Sequence, residues 1–223
     1  MITGTTKLLG VIGAPIAHSL SPSIQNEALR AAGLDYVYAA LPVRADALPS
    51  AVYGLRDAGI AGFNVTIPFK TEIIPLLDAL SEDARRIQAV NTVVIADGGM
   101  VGYNTDVVGF LAGFAEREIA LTGKKAVLIG AGGAARAALW GLLRSNVSSV
   151  VIGVRNVAKG AALATDFAVD GDVRAYRFDD SAFAAALRFA DIVVQTTPMG
   201  MTPHTEEMPP VDMAALNPSA VVY

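Results

Sequence analysis

Three groups of residues in this 223-residue chain have types and spacings suited to chemistry. The first is Gly130-Ala131-Gly132-Gly133-Ala134-Ala135, which follows the apolar run Ala126–Ile129. Gly130, Gly132 and Ala135 fit G-x-G-x-x-G/A, where a tight turn brings backbone close to a ligand and a small residue lets helix and strand cross. The helix that follows offers unpaired N–H groups and a partial positive charge to an anion, here a pyrophosphate. A strand-to-helix turn can also need glycine for geometry alone, so the neighbouring residues must decide. The second group is Asn64, Thr66 and Lys70. Asn64 and Thr66 share one face of a strand, Pro68 ends its ladder, and Lys70 follows where partial desolvation can lower an ammonium pKa towards acid–base use. The competing reading is a solvated lysine at a helix start, although a cation there opposes the helix dipole. The third group is Asn91 and Asp106, at the two ends of a hairpin read around Gly98-Gly99. With Asp97 opposite Met100, Asn91 faces Asp106 across the open end. Both can instead cap, since Asp106 lies just before the apolar helix Val107–Ala115.

A further signal concerns charge. An NAD site usually carries Asp or Glu at the end of the second nucleotide strand, roughly 20 residues past the glycines. Here that position is Val154, followed by Arg155 and, four residues further along, Lys159. The pair can clamp a 2′-phosphate, which favours NADP over NAD. His18 and His204 are spaced for no metal site, and His18 reads as a loop histidine.

The elements that must position these groups alternate. Lys7–Gly13, Tyr36–Val43 and Ala61–Thr66 read as strands, with helices from Ser21-Pro22 to Gly33, Ser21 being the N-cap, and from about Asp46 to Ala58. This β-α-β-α-β order predicts a parallel sheet with ligands beyond the carboxyl ends of its strands, where Ser19, Ser21, Thr66 and Lys70 fall. After the glycine turn come a helix Ala134–Leu143, strand Ser149–Val154, helix Ala158–Phe167, strand Val173–Phe178, helix Ser181–Leu187 and strand Asp191–Gln195. The fold class is α/β: a substrate domain over residues 1–106 and a doubly wound nucleotide domain over 107–223, with a cleft between them and the helix after Asp106 as the link. Thr202–Pro210 reads as a surface loop. A hydrophobic content of 53% supplies ample core, and a net charge of −4 gives no electrostatic case for nucleic acid or an anionic membrane surface. The absence of cysteine excludes a disulfide framework and a thiolate metal site, and it fits a cytoplasmic enzyme. The apolar stretch Leu8–Ala17 is too short to span a bilayer.

Pro15–Pro22, Gly62–Lys70, Ala89–Thr92, Asn104–Phe110 and Gly130–Ala134, five blocks in order, resemble the shikimate dehydrogenase family, including its quinate/shikimate members. The resemblance implies a Rossmann-type nucleotide domain and reversible NADP-linked reduction of 3-dehydroshikimate to shikimate, in aromatic amino-acid biosynthesis. Carried over by position, Lys70 and Asp106 form the catalytic pair. Ser19 and Ser21 bind the substrate carboxylate, Thr66 and Asn91 its hydroxyls, and Asn64 and Tyr223 stand on the substrate side. The cofactor residues are Gly130, Ala131, Gly132, Gly133 and Ala134, then Arg155, Asn156, Lys159, Thr196, Met199 and Val221. The family's Asn-Arg-Thr-x-x-Arg is here Val154-Arg155-Asn156-Val157-Ala158-Lys159, and its Asn-x-Thr-x-x-Gly-Met is Gln195–Met201. An end inside the apolar run Ala220–Tyr223 predicts a longer natural chain and reduced cofactor binding and activity for a form ending there. A small-molecule enzyme that is a monomer or homodimer is implied. The same motifs admit a quinate or aminoshikimate dehydrogenase, and the fold admits a non-catalytic nucleotide sensor, against which Lys70 and Asp106 argue.

Overall fold

The computed structural model describes residues 2–201 and 205–223, so His204 and the start of the Thr202–Pro210 segment lie outside the described residues. The chain forms two compact units, Met1–Thr105 and Asp106–Tyr223, which puts Asp106 with the second unit.

In the first unit, β1 (Lys7–Gly13), α1 (Ser21–Ala31), β2 (Tyr36–Pro42), α2 (Leu48–Asp57) and β3 (Gly62–Val65) follow in turn. After them come β4 (Ala79–Leu80), α3 (Glu82–Ile87), β5 (Thr92–Ala96) and β6 (Gly99–Tyr103). The sheet order is β2-β1-β3-β5-β6-β4. β2, β1 and β3 are parallel, as their helical crossovers require, while β5 runs antiparallel to both β3 and β6. Ile12, Phe63, Val65, Phe69, Ile73, Val93 and Met100 are buried in its core. β2 is an edge strand, and a side chain of α1 takes up its free backbone groups at Tyr38: Asn26 Nδ2 donates to Tyr38 O at 2.8 Å while Tyr38 N–H donates to Asn26 Oδ1 at 2.9 Å. An amide thus takes the place of a missing neighbour strand.

The hairpin register differs from the expected one. Ala96 pairs with Gly99 and Thr92 with Tyr103, so the turn is Asp97-Gly98, with φ of 50° and 76°. Positive φ at both central positions is the type I′ requirement that Asp-Gly meets, and it suits the strand twist better than a turn centred on Gly98-Gly99. In consequence Asn91 does not face Asp106; the residue in line with it is Asn104.

The second unit opens with α4 (Asp106–Ala115), which belongs to it and is more than a link. β7 (Lys125–Ile129), α5 (Gly133–Arg144), β8 (Ser149–Val154), α6 (Val157–Phe167), β9 (Val173–Arg177), α7 (Ser181–Phe189), β10 (Ile192–Gln195) and β11 (Val221–Val222) follow. The sheet order β11-β10-β7-β8-β9 is parallel throughout. β7 alternates its burial between two faces: Ala126 and Leu128 pack in one cluster with Leu139, Leu142 and Phe167, whereas Val127 and Ile129 pack in another with Phe183 and Leu187. Two apolar faces therefore demand helices on both sides, which is the doubly wound arrangement. Asn156 caps α6 by accepting from Lys159 N–H at 3.1 Å, and Asp180 caps α7 by accepting from Ala182 N–H at 2.8 Å.

Asp191, just before β10, ties the lower ends of the central strands together. Its carboxylate accepts from Lys125 N–H at 2.8 Å, and that bond, helped by Lys124 Nζ at 3.5 Å, holds it below the usual carboxylate range. A depressed folded pKa contributes stability that is present above the unfolded value and lost as pH falls through the folded one. Asp191→Asn keeps an acceptor for the Lys125 N–H but removes the charge, and it is expected to lower Tm by about 2–4 °C at neutral pH, the scale of the charge assistance lost from one hydrogen bond. The difference from the unsubstituted chain should fade as pH drops below about 4, which melting curves at several pH values would check. Among the described residues no helix is long and apolar enough to cross a membrane, and no group of three His, Cys, Asp or Glu is placed to hold a metal.

Candidate active site

In the first unit, strand direction decides which residues meet. Because β5 runs antiparallel to β3, its start lies beside the ends of β1 and β3. That edge receives the loop after β1 with Ser19 and Ser21, the turn after β3 with Thr66 and Lys70, and Asn91, which precedes β5. Gly13 must lack a side chain: a Cβ there would lie 2.5 Å from Thr66 Cγ2 and 3.0 Å from Ile16 Cδ1. Thr66 can therefore sit against the turn leading to Ser19, with its N–H donating to Ile12 O at 3.0 Å. Ser21 is the first residue of α1 and not its cap. Its N–H is held by Ser19 Oγ at 3.2 Å, so the two serines form one small unit.

Lys70 is not at the start of an α-helix; it lies in a turn running into the 3₁₀ segment Ile74–Leu76, and the helix-dipole argument does not apply to it. The turn is fixed independently of the ammonium group. Phe69 is fully buried, its N–H donates to Thr66 O at 3.0 Å, and Lys70 O accepts from Val90 N–H at 2.7 Å. The last bond joins the lysine turn to the residue preceding Asn91.

Asn91, 8% exposed, is the hub of a polar network. Its Oδ1 accepts from Thr92 Oγ1 at 2.9 Å and from Thr105 N–H at 2.9 Å, and its Nδ2 donates to Thr105 Oγ1 at 3.0 Å. Asn64 Nδ2 donates to Asn91 O at 3.2 Å and to Thr92 Oγ1 at 3.0 Å, while its Oδ1 accepts from the Tyr38 hydroxyl at 2.6 Å. The buried Asn104 donates from Nδ2 to Ala89 O at 2.9 Å, which clamps the segment ahead of Asn91. Tyr38, Thr92, Asn104 and Thr105 are not among the site residues read from the sequence. Thr92, Asn104 and Thr105 adjoin residues that were, but Tyr38 comes from a strand whose alternation gives no sign of a polar partner.

In the second unit, Asp106 is the first residue of α4 instead of preceding it. The Tyr223 ring stacks on Phe114 at 5.3 Å and meets Phe110 edge-on at 5.0 Å. Val221, in β11, lines a hollow with Gly113 and Phe114, separate from the one at the glycine turn. That second hollow, of about 320 Å³, lies where the strand order reverses between β7 and β10. Gly130, Ala131 and Gly132 form one wall, Thr196 and Met199 another, and Arg155, Asn156 and Lys159 a third. Gly133 and Ala134 make the first turn of α5 above it. Gly130 has φ of 113°, and a Cβ on it would lie 2.8 Å from Thr196 Oγ1, so both conformation and space call for glycine. The opposite wall is held by its own side chains: Thr196 Oγ1 donates to Ile129 O at 2.7 Å and Gln195 Oε1 accepts from Thr197 N–H at 2.6 Å. Phe178 and Pro198 also line the hollow and are not among the site residues read from the sequence.

The cations at this hollow differ from others nearby. Arg174 pairs with Asp172 at 3.0 Å and Arg177 with Asp179 at 2.8 Å, whereas Arg155 and Lys159 have no acidic partner among the described residues. A glycine turn at a helix start, a strand end without carboxylate and two such cations fit a dinucleotide carrying a 2′-phosphate.

Comparison with known proteins agrees with this arrangement. Residues 11–93 match the family model for the shikimate dehydrogenase substrate binding domain, and residues 114–208 match that for shikimate / quinate 5-dehydrogenase. A relative from Geobacter metallireducens named shikimate dehydrogenase (NADP(+)) is 46% identical over 226 residues, covering all of this chain and 78% of its own length. A crystal structure of shikimate 5-dehydrogenase from Listeria monocytogenes, in complex with shikimate and NAD, superimposes with a TM-score of 0.90 at 34% identity, covering 99% of this chain and 78% of that one. The enzyme from Thermus thermophilus, in complex with NADP(H) and shikimate, gives 0.86 at 31% identity over 97% of this chain and 77% of its own. With the glycine turn, the lysine turn and the asparagine network each on the element that its motif requires, the chain belongs to the shikimate dehydrogenase family.

Proposed function

We propose that the chain is an NADP-dependent oxidoreductase that interconverts shikimate and 3-dehydroshikimate in aromatic amino-acid biosynthesis. The observation that carries this reading is the 46% identity along the whole chain to a shikimate dehydrogenase (NADP(+)), with Lys70, Asn91 and the serine pair gathered at one sheet edge of the first unit. The polar residues there suit a polyhydroxylated acid: Ser19 and Ser21 hydroxyls for the carboxylate, Thr66 and Asn91 for ring hydroxyls. The hollow at Gly130–Gly132 takes the dinucleotide, with Arg155, Asn156 and Lys159 around its 2′-phosphate and Thr196 and Met199 opposite. When bound, the dinucleotide supplies or accepts the hydride. As the ketone is reduced, negative charge develops on its oxygen, and the Lys70 ammonium stabilises that charge and delivers the proton; in the oxidation it takes the proton from the hydroxyl. Asp106 orients Lys70 and accepts from a substrate hydroxyl. Tyr223 is carried over as a substrate residue and Val221 as a cofactor residue on the resemblance alone, since Val221 lines a hollow apart from that at Gly130–Gly132. The working form is a cytoplasmic monomer or homodimer, and a chain without cysteine is compatible with that compartment.

The test is a turnover comparison of shikimate and quinate, each with NADP⁺ and NAD⁺. We expect shikimate with NADP⁺ to exceed the other three combinations by at least about tenfold in kcat/KM, the scale on which one substituent separates substrates. A preference for quinate would move the chain to the related activity, and cofactor binding without turnover of either would make it a sensor.

A further inference from the structure

Tyr38 is a buried ionisable residue, 5% exposed, that the proton transfer does not use. Burial pushes its phenol up to about 12, so it remains protonated at any working pH. Its hydroxyl lies 2.6 Å from Asn64 Oδ1. From there the direction of each hydrogen bond is imposed by main-chain groups that have only one option. The Asn91 carbonyl can only accept, so the Asn64 NH₂ group must face it, at 3.2 Å, and Asn64 Oδ1 must face Tyr38. The Asn64 amide also donates to Thr92 Oγ1 at 3.0 Å, and the Thr92 hydrogen is then directed at Asn91 Oδ1, 2.9 Å away. At the far end the Thr105 N–H, which can only donate, reaches the same oxygen at 2.9 Å.

Asn91 Oδ1 thus receives the Thr92 hydroxyl and the Thr105 N–H, with the Thr105 hydroxyl also within reach at 3.2 Å, which fills the capacity of an amide oxygen. Towards a ligand the Asn91 side chain can act only through its NH₂ group. Flipping it would set NH₂ against the Thr105 N–H and strand both donors, and unmade bonds of this kind are costly when buried. We propose that Tyr38, Asn64 and Thr92 are positioning residues: through this one-way chain they hold Asn91 as a donor to a substrate oxygen, and Asn64 acts through Asn91 instead of binding substrate itself. The inference rests on the reading of Asn91 as a substrate ligand. It accounts for a tyrosine buried on an edge strand, and for an Asn64 amide whose two hydrogens both point into the protein.

Tyr38→Phe and Thr92→Val each break the chain without removing a group assigned to substrate or cofactor. Each should lower kcat/KM for shikimate by about tenfold, a modest share of what misplacement of a positioned group can cost. The KM for NADP should stay within about twofold, and the double variant should be no worse than the weaker single one, because coupled sites are not additive. Thr92→Ser, which keeps the hydroxyl, should restore activity. Losses that multiply, an equal loss in Thr92→Ser, or a matching rise in the KM for NADP would overturn the proposal. A second readout needs no turnover: the Asn64 and Asn91 side-chain amide hydrogens, followed by NMR in the ligand-free protein, should exchange with water at least about tenfold faster in both variants, as expected where local protection is lost. Unchanged exchange would overturn the network whatever the substrate, whereas failure of the unsubstituted chain to turn over shikimate counts against the proposed function alone.

Discussion

Lys70→Ala is expected to lower kcat for shikimate oxidation by about 10²- to 10⁴-fold, the range that a positioned acid or base contributes. The expectation is specific because the local structure does not depend on the ammonium. Phe69 remains buried, and the main-chain bond from Val90 N–H to Lys70 O, at 2.7 Å, is untouched by the substitution. Tm and the dissociation constant for NADP should therefore change little, while kcat and kcat/KM fall together, as when an interaction made in the transition state is removed. Retained turnover would remove Lys70 from the mechanism. Asp106→Asn separates the two readings of that residue, because asparagine keeps the size of aspartate and loses only the small charge–dipole contribution of an acid in the first helical turn. A residue that merely supports the start of α4 would leave kcat intact after this change; a partner of Lys70 would not.

The parts of the chain that the sequence makes legible are those in which one local rule suffices. The run Lys125–Ile129 alternates between two buried faces, Gly130 needs its positive φ, and the strand Ser149–Val154 has the observed bounds. A period of two, a glycine turn and a helix start leave few alternatives there. The hairpin was less legible because Asp97-Gly98-Gly99 offers two adjacent turn pairs; the structure uses Asp97-Gly98, and the change of register puts Asn104 in line with Asn91 in place of Asp106. Lys70 illustrates a different limit. With the strand ended by Pro68, Lys70 reads as lying beyond the strand or at a helix start, and the burial of Phe69 and Ile73 settles the segment as a turn, a tertiary effect that local propensity does not contain. Tyr38 was invisible for the same reason. Its partner Asn64 is far along the chain, and only the pairing of β1 with both β2 and β3 brings them within 2.6 Å.

Arg155→Ala is expected to raise the KM for NADP by about 10- to 100-fold, the equivalent of one charge-assisted hydrogen-bond pair, and to leave the KM for NAD within about twofold. The asymmetry follows from where the residue stands. Arg155 comes directly after Val154, at the strand end where an NAD site would place a carboxylate, and it lines the same hollow as Gly130–Gly132. Removing it takes nothing from the pyrophosphate grip, which the turn's backbone supplies, and nothing from a ribose carboxylate, which this chain does not have. Lys159→Ala should have a smaller effect of the same kind, since an ammonium is a point charge without a planar fork. Its N–H is already tied to Asn156 Oδ1 at 3.1 Å, so the backbone of this wall should survive both changes. Arg155→Lys provides the sharper control: it keeps the charge and loses the bidentate geometry, so it should recover only part of the NADP affinity. Equal losses for the two cofactors in Arg155→Ala would mean that the residue supports the hollow as a whole, and the 2′-phosphate would then have to be recognised elsewhere.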